Sequence, residues 1–337
     1  MKTSIFIIFL ILIFGDGFSQ NNKKDVALVM KDKRLNKILV TDIASELVEI
    51  LGEGFEWTEG PLWLEKENKL IFSDIPNNSI FEWTEKGGIK LYLKPAGYTG
   101  KEKRGGETGS NGLILNDKNE LILCQHGDRR MAKMKASLSS PKPVFETIAG
   151  NYNGKKLNSP NDAVYHKNGD LYFTDPPYGL EFNMDDPAKE LDFQGVFKVD
   201  KTGNIVLLTK ELSRPNGLAF SPDYKKLYVS NSDPEKAIWM VYDVDENGLL
   251  KNEKLFFDAT EKTKTLKGLP DGLKVHKNGW IFATGPGGVL IFTPEGEHLG
   301  TIVTGKATSN CAFNADYSEL FITADDYLLR VKLINLF

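Results

Sequence analysis

Several things are scarce in this chain, and each shortage removes a class of protein. Cys124 and Cys311 are the only two cysteines in 337 residues, too few for a disulfide-stapled scaffold. Both lie in apolar runs of strand type, where an unpaired cysteine behaves as a small hydrophobe, and neither has a histidine neighbour that would make it a nucleophile. Helical periodicity is not sustained beyond short stretches such as residues 43–51, which argues against a helical fold. There is no Gly-x-Ser-x-Gly elbow, no Gly-x-x-x-x-Gly-Lys phosphate loop and no dinucleotide fingerprint leading into a helix, so covalent serine catalysis and nucleotide cofactors are not expected. Charge of one sign is missing too: a net charge of −4 with interspersed signs points away from nucleic acid and anionic membranes and toward a small-molecule partner.

What is present is ordinary in amount and regular in arrangement. Apolar residues make up 41% and charged residues 26%, enough to bury a sizeable core. The first 20 residues read as a secretory signal: a basic start, an apolar run from Ile5 to Phe14 too short to span a membrane comfortably, then small and polar residues. The chain is therefore expected to be exported, periplasmic or secreted, and free of the membrane once the signal is cleaved. Residues 21–35 read as a linker and residues 36–337 as one folded domain.

One motif recurs through that domain. A polar residue followed by Gly, Asp or another small residue opens an apolar run, a turn follows, and a second run ends in Ser, Thr, Cys or Asp. The motif starts at Glu59, Asn111, Asn161, Asn216, Asp271 and Asn310, at intervals of 52, 50, 55, 55 and 39 residues. Second runs lie at residues 69–74, 120–124, 170–175, 226–230, 280–284 and 319–323. Each pair reads as a β-hairpin, and further strand-like runs make each unit a four-stranded meander. Six such units at this spacing predict an all-β, six-bladed β-propeller. After Asn310 the chain has room for three strands but not four, so an N-terminal strand, from residues 37–41 or 47–51, should close the last blade. Cys124 then falls in blade two and Cys311 in blade six, too far apart to bond.

The six motif residues occupy equivalent positions before the first strand of each blade and should form a ring at one mouth of the central channel. Two carboxylates and several amide oxygens converging from different blades suit one hard divalent cation, which would neutralise the Glu59 and Asp271 pair. Asn and Asp are also common turn formers, and Asn310 is assigned to a turn rather than to the ligand set. A glutamate at the first position is harder to explain as a turn residue.

The stretches Glu59-Gly60-Pro61-Leu62-Trp63, Ser159-Pro160-Asn161-Asp162, Arg214-Pro215-Asn216-Gly217-Leu218 and Leu269-Pro270-Asp271-Gly272-Leu273, in that order, resemble the gluconolactonase and regucalcin-like (senescence marker protein) family of six-bladed propellers. The segments from Cys124 to Arg130 and from Phe173 to Gly179 resemble its bacterial gluconolactonase branch. The resemblance implies that Glu59, Asn216 and Asp271 are metal ligands and that Asn161 is a fourth ligand or a substrate contact. It also implies that Asp271 is the general base. Asn111, His126, Asn161 and Asp175 would bind substrate, and Tyr178 could reach the same mouth. The implied cofactor is one divalent cation, Ca²⁺ first, with Mg²⁺, Mn²⁺ or Zn²⁺ as alternatives. The implied reaction is hydrolysis of a sugar lactone; a phosphotriesterase on the same site and a non-catalytic sugar- or Ca²⁺-binding propeller remain the rival readings. His166 and His276 are read as structural, His298 as a surface turn residue, and Arg129 and Arg130 as equally suited to surface ion pairs or to substrate.

Overall fold

The computed structural model describes residues 27–37 and 48–333. The predicted signal segment and residues 38–41 of one proposed closing strand lie outside them. Among the described residues, six antiparallel sheets of four or five strands run in sequence order around a common axis, beside one small two-stranded ribbon. Their first strands are Thr58–Leu64, Ser110–Leu115, Ala163–Tyr165, Pro215–Phe220, Leu273–Val275 and Thr308–Phe313. Each first strand touches that of the next blade, and blade six touches blade one. The ring is a closed six-bladed propeller, as the repeat predicts.

Closure uses the second of the two candidate segments. Val48–Glu53 pairs antiparallel with Tyr327–Lys332 as the outermost strand of blade six, with Val48 opposite Val331. The linker assigned to residues 21–35 needs correction. Ala27–Met30 forms a fifth strand on the outer edge of blade five, with Ala27 opposite Val303. A short 3-10 turn follows at Lys33–Lys37, and it buries Leu35 beside Leu299 and Val331. An apolar Ala-Leu-Val-Met run meets a sheet edge with unpaired backbone groups, and pairing satisfies both.

Adjacent blades are wedged apart by aromatic rings. Trp63 of blade one stacks on Phe321 of blade six with centroids 5.4 Å apart. Tyr172 meets Phe220 across blades three and four at 4.9 Å. Each fully buried ring contributes about 1.5–3 kcal/mol by burial, with somewhat more from its edge or stacking geometry. His166 and His276 belong to this packing as expected: His166 lies edge-on to Phe220 and Tyr224, and His276 to Phe313 and Tyr317. His298 is not a surface turn residue. It opens the strand His298–Val303, packs on Phe292, and burial pushes its pKa down to about 4.

Candidate functional site at the channel mouth

The ring residues owe their positions to three local devices. The first is a break in strand register. Pairing jumps between Glu59 and Leu62, Ser110 and Leu113, Pro215 and Leu218, and Thr308 and Asn310, so these ring residues sit at or beside β-bulges, which re-aim side chains. Asn161 and Asp271 lie just ahead of three-residue inner strands. The motif is therefore less a turn than an interrupted ladder end.

A second device is the small polar residue near the end of the second strand in most blades. Ser73 Oγ donates to the carbonyl oxygen of Asn111 (2.9 Å) and Thr174 Oγ1 to that of Asn216 (2.7 Å). Ser230 Oγ donates to the carbonyl oxygen of Asp271, and Thr284 Oγ1 to that of Ser309. Four blades thus fix the backbone of the next ring segment. Cys124 occupies the equivalent place in blade two, where the Gly112 N–H donates to Asn161 O (2.8 Å).

The third device is the glycine after the ring residue. A Cβ on Gly217 would lie 2.4 Å from Asp271 O, and one on Gly60 would lie 2.1 Å from Asn111 O. Only glycine lets neighbouring backbones approach this closely around the axis.

Together these devices place Glu59, Asn111, Asn161, Asn216 and Asp271 on the wall of one cavity of about 490 Å³. Glu59 is buried, and its Oε2 accepts from the Gly60 N–H and from Asn310 Nδ2 (3.1 Å). Burial, followed by the nearby Asp162 carboxylate, raises the Glu59 pKa. The Asp271 pKa is raised well above the usual carboxylate range, first by burial, then by the charge of Glu59 and a hydrogen bond with it. Two acids in this arrangement hold a proton between them unless a cation takes its place.

The cavity fits a cation on a further observation. Asn111 Oδ1, Asn161 Oδ1 and Asp271 Oδ1 are buried without any hydrogen-bond donor. Buried acceptors are rarely left unpaired, and these three on one cavity wall, one of them from the carboxyl pair, form with Glu59 an all-oxygen donor set for a hard ion. Among the described residues, no group of three or more His, Cys, Asp and Glu side chains is arranged to hold a metal; the candidate donors here are two carboxylates plus amides. Asn216 Nδ2 donates to Ser232 Oγ (3.0 Å), which fixes which end of that amide presents oxygen.

Two of the proposed substrate contacts stand elsewhere. Asp175 does not line the cavity: its Oδ2 and Oδ1 accept from the backbone N–H groups of Asn158 and Ser159, both at 2.8 Å. Asp74 Oδ1 takes the N–H groups of Glu56 and Trp57, and Asn231 Oδ1 that of Arg214, so this position braces the segment ahead of the ring in three blades. His126 is fully buried behind the wall, with Nδ1 2.9 Å from Glu107 Oε2. Arg129 also braces, its Nε donating to the carbonyl oxygens of Leu157 and Asn158, whereas Arg130 pairs with Asp128 at 2.8 Å. Tyr178 does line the cavity.

Asn310, read from the sequence as a turn residue, is part of the site. Its Oδ1 accepts from Lys274 Nζ (3.2 Å) while its Nδ2 donates to Glu59. Lys274 also lies 3.8 Å from Asp162 Oδ2 and lines the cavity at the far end of the channel. Glu107 is the wall residue that sequence reasoning missed. It lies outside the repeated motif, in the connection between blades one and two, and no local pattern marks it.

A family model described as "SMP-30/Gluconolactonase/LRE-like region" matches residues 57–326, a span that holds all six ring residues. The chain is 40% identical over 310 residues to a gluconolactonase of Zymomonas mobilis, covering 89% of this chain and 84% of that protein. It is 24% identical over 288 residues to a regucalcin of Xenopus laevis, covering 82% and 85% respectively. Among solved structures, a gluconolactonase of Xanthomonas campestris is similar with a TM-score of 0.77 and 28% identity, over 91% of this chain and 95% of that one.

Proposed function

The chain belongs to the SMP-30/gluconolactonase/LRE-like family, and on that footing we propose that it hydrolyses a sugar lactone in the cavity bounded by Glu59 and Asp271, with one divalent cation held there. The observation that carries this reading is the carboxyl pair set among buried, donorless amide oxygens. Glu59, Asn161, Asn216 and Asp271 would hold the ion; an oxygen-only donor set suits a hard ion such as Ca²⁺, Mg²⁺ or Mn²⁺ better than Zn²⁺, and Ca²⁺ is the one proposed. When bound, such an ion polarises an ester carbonyl and lowers the pKa of water.

The remaining work falls to the chain itself. Asp271 takes a proton from the attacking water, the role a carboxylate within reach of that water can fill. Asn310 and Lys274 hold Glu59 from below. Asn111 and Asn161 present amides to ring hydroxyls, and a cavity of about 490 Å³ matches the size of small-ligand sites.

Hydrolysis of D-glucono-1,5-lactone, followed by pH-stat with and without chelator, tests the reading. The mature protein should turn the lactone over, lose activity on chelation and regain it with Ca²⁺. Asp271→Asn should lower kcat by roughly 10²- to 10⁴-fold, the usual worth of a general base. A protein that binds the ion yet hydrolyses neither lactone nor organophosphate would be a binding propeller instead.

A further inference from the structure

We infer that Glu107, held in place by His126, selects a polyhydroxylated lactone over an unsubstituted one; this rests on the lactonase reading above. Glu107 lines the cavity and is 36% exposed at its side chain. Its Oε2 lies 2.9 Å from His126 Nδ1, and both ring nitrogens of that buried imidazole are otherwise without a hydrogen-bond partner, so Glu107 is the acceptor within reach of Nδ1. His126 cannot drift. Its backbone N–H donates to Gly109 O and its backbone carbonyl accepts from the Arg129 N–H, both at 3.1 Å. The loop of blade three presses on it, since a Cβ on Gly179 would come within 2.8 Å of His126 Cβ.

The segment carrying Glu107 is fastened as well. Arg104 Nη1 and Nη2 donate to the carbonyl oxygens of Gly127 and Gly179, tying it to the loops of blades two and three. The guanidinium thus fixes the backbone of this segment, and the buried imidazole flanks the one carboxylate that the segment sets at the cavity wall, which limits the freedom the side chain loses on binding. With one oxygen turned to the imidazole, the carboxylate presents its remaining lone pairs to the cavity. A carboxylate only accepts hydrogen bonds, and sugar hydroxyls are donors that match it. A bare lactone would cover Glu107 without pairing it, and that unpaired burial is the source of discrimination.

The test compares kcat/KM for D-glucono-1,5-lactone and δ-valerolactone in wild type, Glu107→Gln, His126→Asn and His126→Leu. In Glu107→Gln the preference for the sugar lactone should fall about 10- to 100-fold, the worth of hydrogen bonds to a charged group, mainly through KM. His126→Leu should lose preference similarly, and His126→Asn, whose amide nitrogen can replace Nδ1 as donor, should recover most of it. Proportional losses on both substrates would overturn the proposal. So would a tenfold loss of Ca²⁺ affinity in Glu107→Gln by isothermal titration, which would make Glu107 a metal ligand. A wild type that turns over neither lactone would instead overturn the lactonase reading on which it rests.

Discussion

Asp175 ends the second strand of blade three, and its two oxygens are filled by the N–H groups of Asn158 and Ser159. Replacing it by Asn turns one acceptor into a donor facing an N–H. Asp175→Asn should therefore destabilise the fold by about 1–3 kcal/mol, the cost of a buried unpaired polar group, measured by urea denaturation. A change confined to activity, with stability intact, would restore Asp175 as a substrate contact. The neighbouring residues show how single positions can mislead. Sequence resemblance singled out His126 as a substrate contact, yet its ring stands behind the wall and the carboxylate beside it carries no motif.

At the scale of the blade, the ring depends on how close the inner strands come. Gly217 is a clear case because its missing Cβ would meet backbone rather than a movable side chain. Gly217→Ala should push blades four and five apart, lowering Tm and weakening Ca²⁺ binding together; calorimetry and titration of the purified variant check both. A variant as stable as wild type with unchanged affinity would show that the close approach is dispensable. The pattern of Asn-Gly and Asp-Gly was legible in the chain as a repeat, and its hairpins, blade order and closing strand followed from spacing. Its physical meaning was not. Turn chemistry and strand-to-strand approach both call for glycine, and only the position of the next blade distinguishes them.

For the whole molecule, buried acids tie stability to pH. Burial raises the pKa of Asp175 to about 7 despite its two amide hydrogen bonds, and those of Glu59 and Asp271 move the same way. A group whose pKa is higher folded than unfolded stabilises fully below its unfolded value and loses that contribution as pH rises through the folded one. Exposed turn acids such as Asp200 shift downward, so their effect lies below the usual carboxylate range. The metal-free protein should thus lose Tm as pH rises from about 4 to about 7, and Ca²⁺ should restore more at pH 7 than at pH 4, because it replaces the retained protons. Scanning calorimetry with chelator and with Ca²⁺ checks this; a flat Tm across that window would refute it.

The sequence by itself determined the six-bladed propeller, its closure by an N-terminal strand and the set of residues at the ring, because alternating apolar runs, turns and a 39- to 55-residue spacing are local properties of the chain. Tertiary structure decided what those residues do with one another. It placed Asn310 between Lys274 and Glu59, turned Asp175 into a brace, moved His126 behind Glu107 and docked Ala27–Met30 on blade five. Each of these depends on contacts between segments far apart in the chain, and a ring assembled from six blades sets such contacts only when it closes.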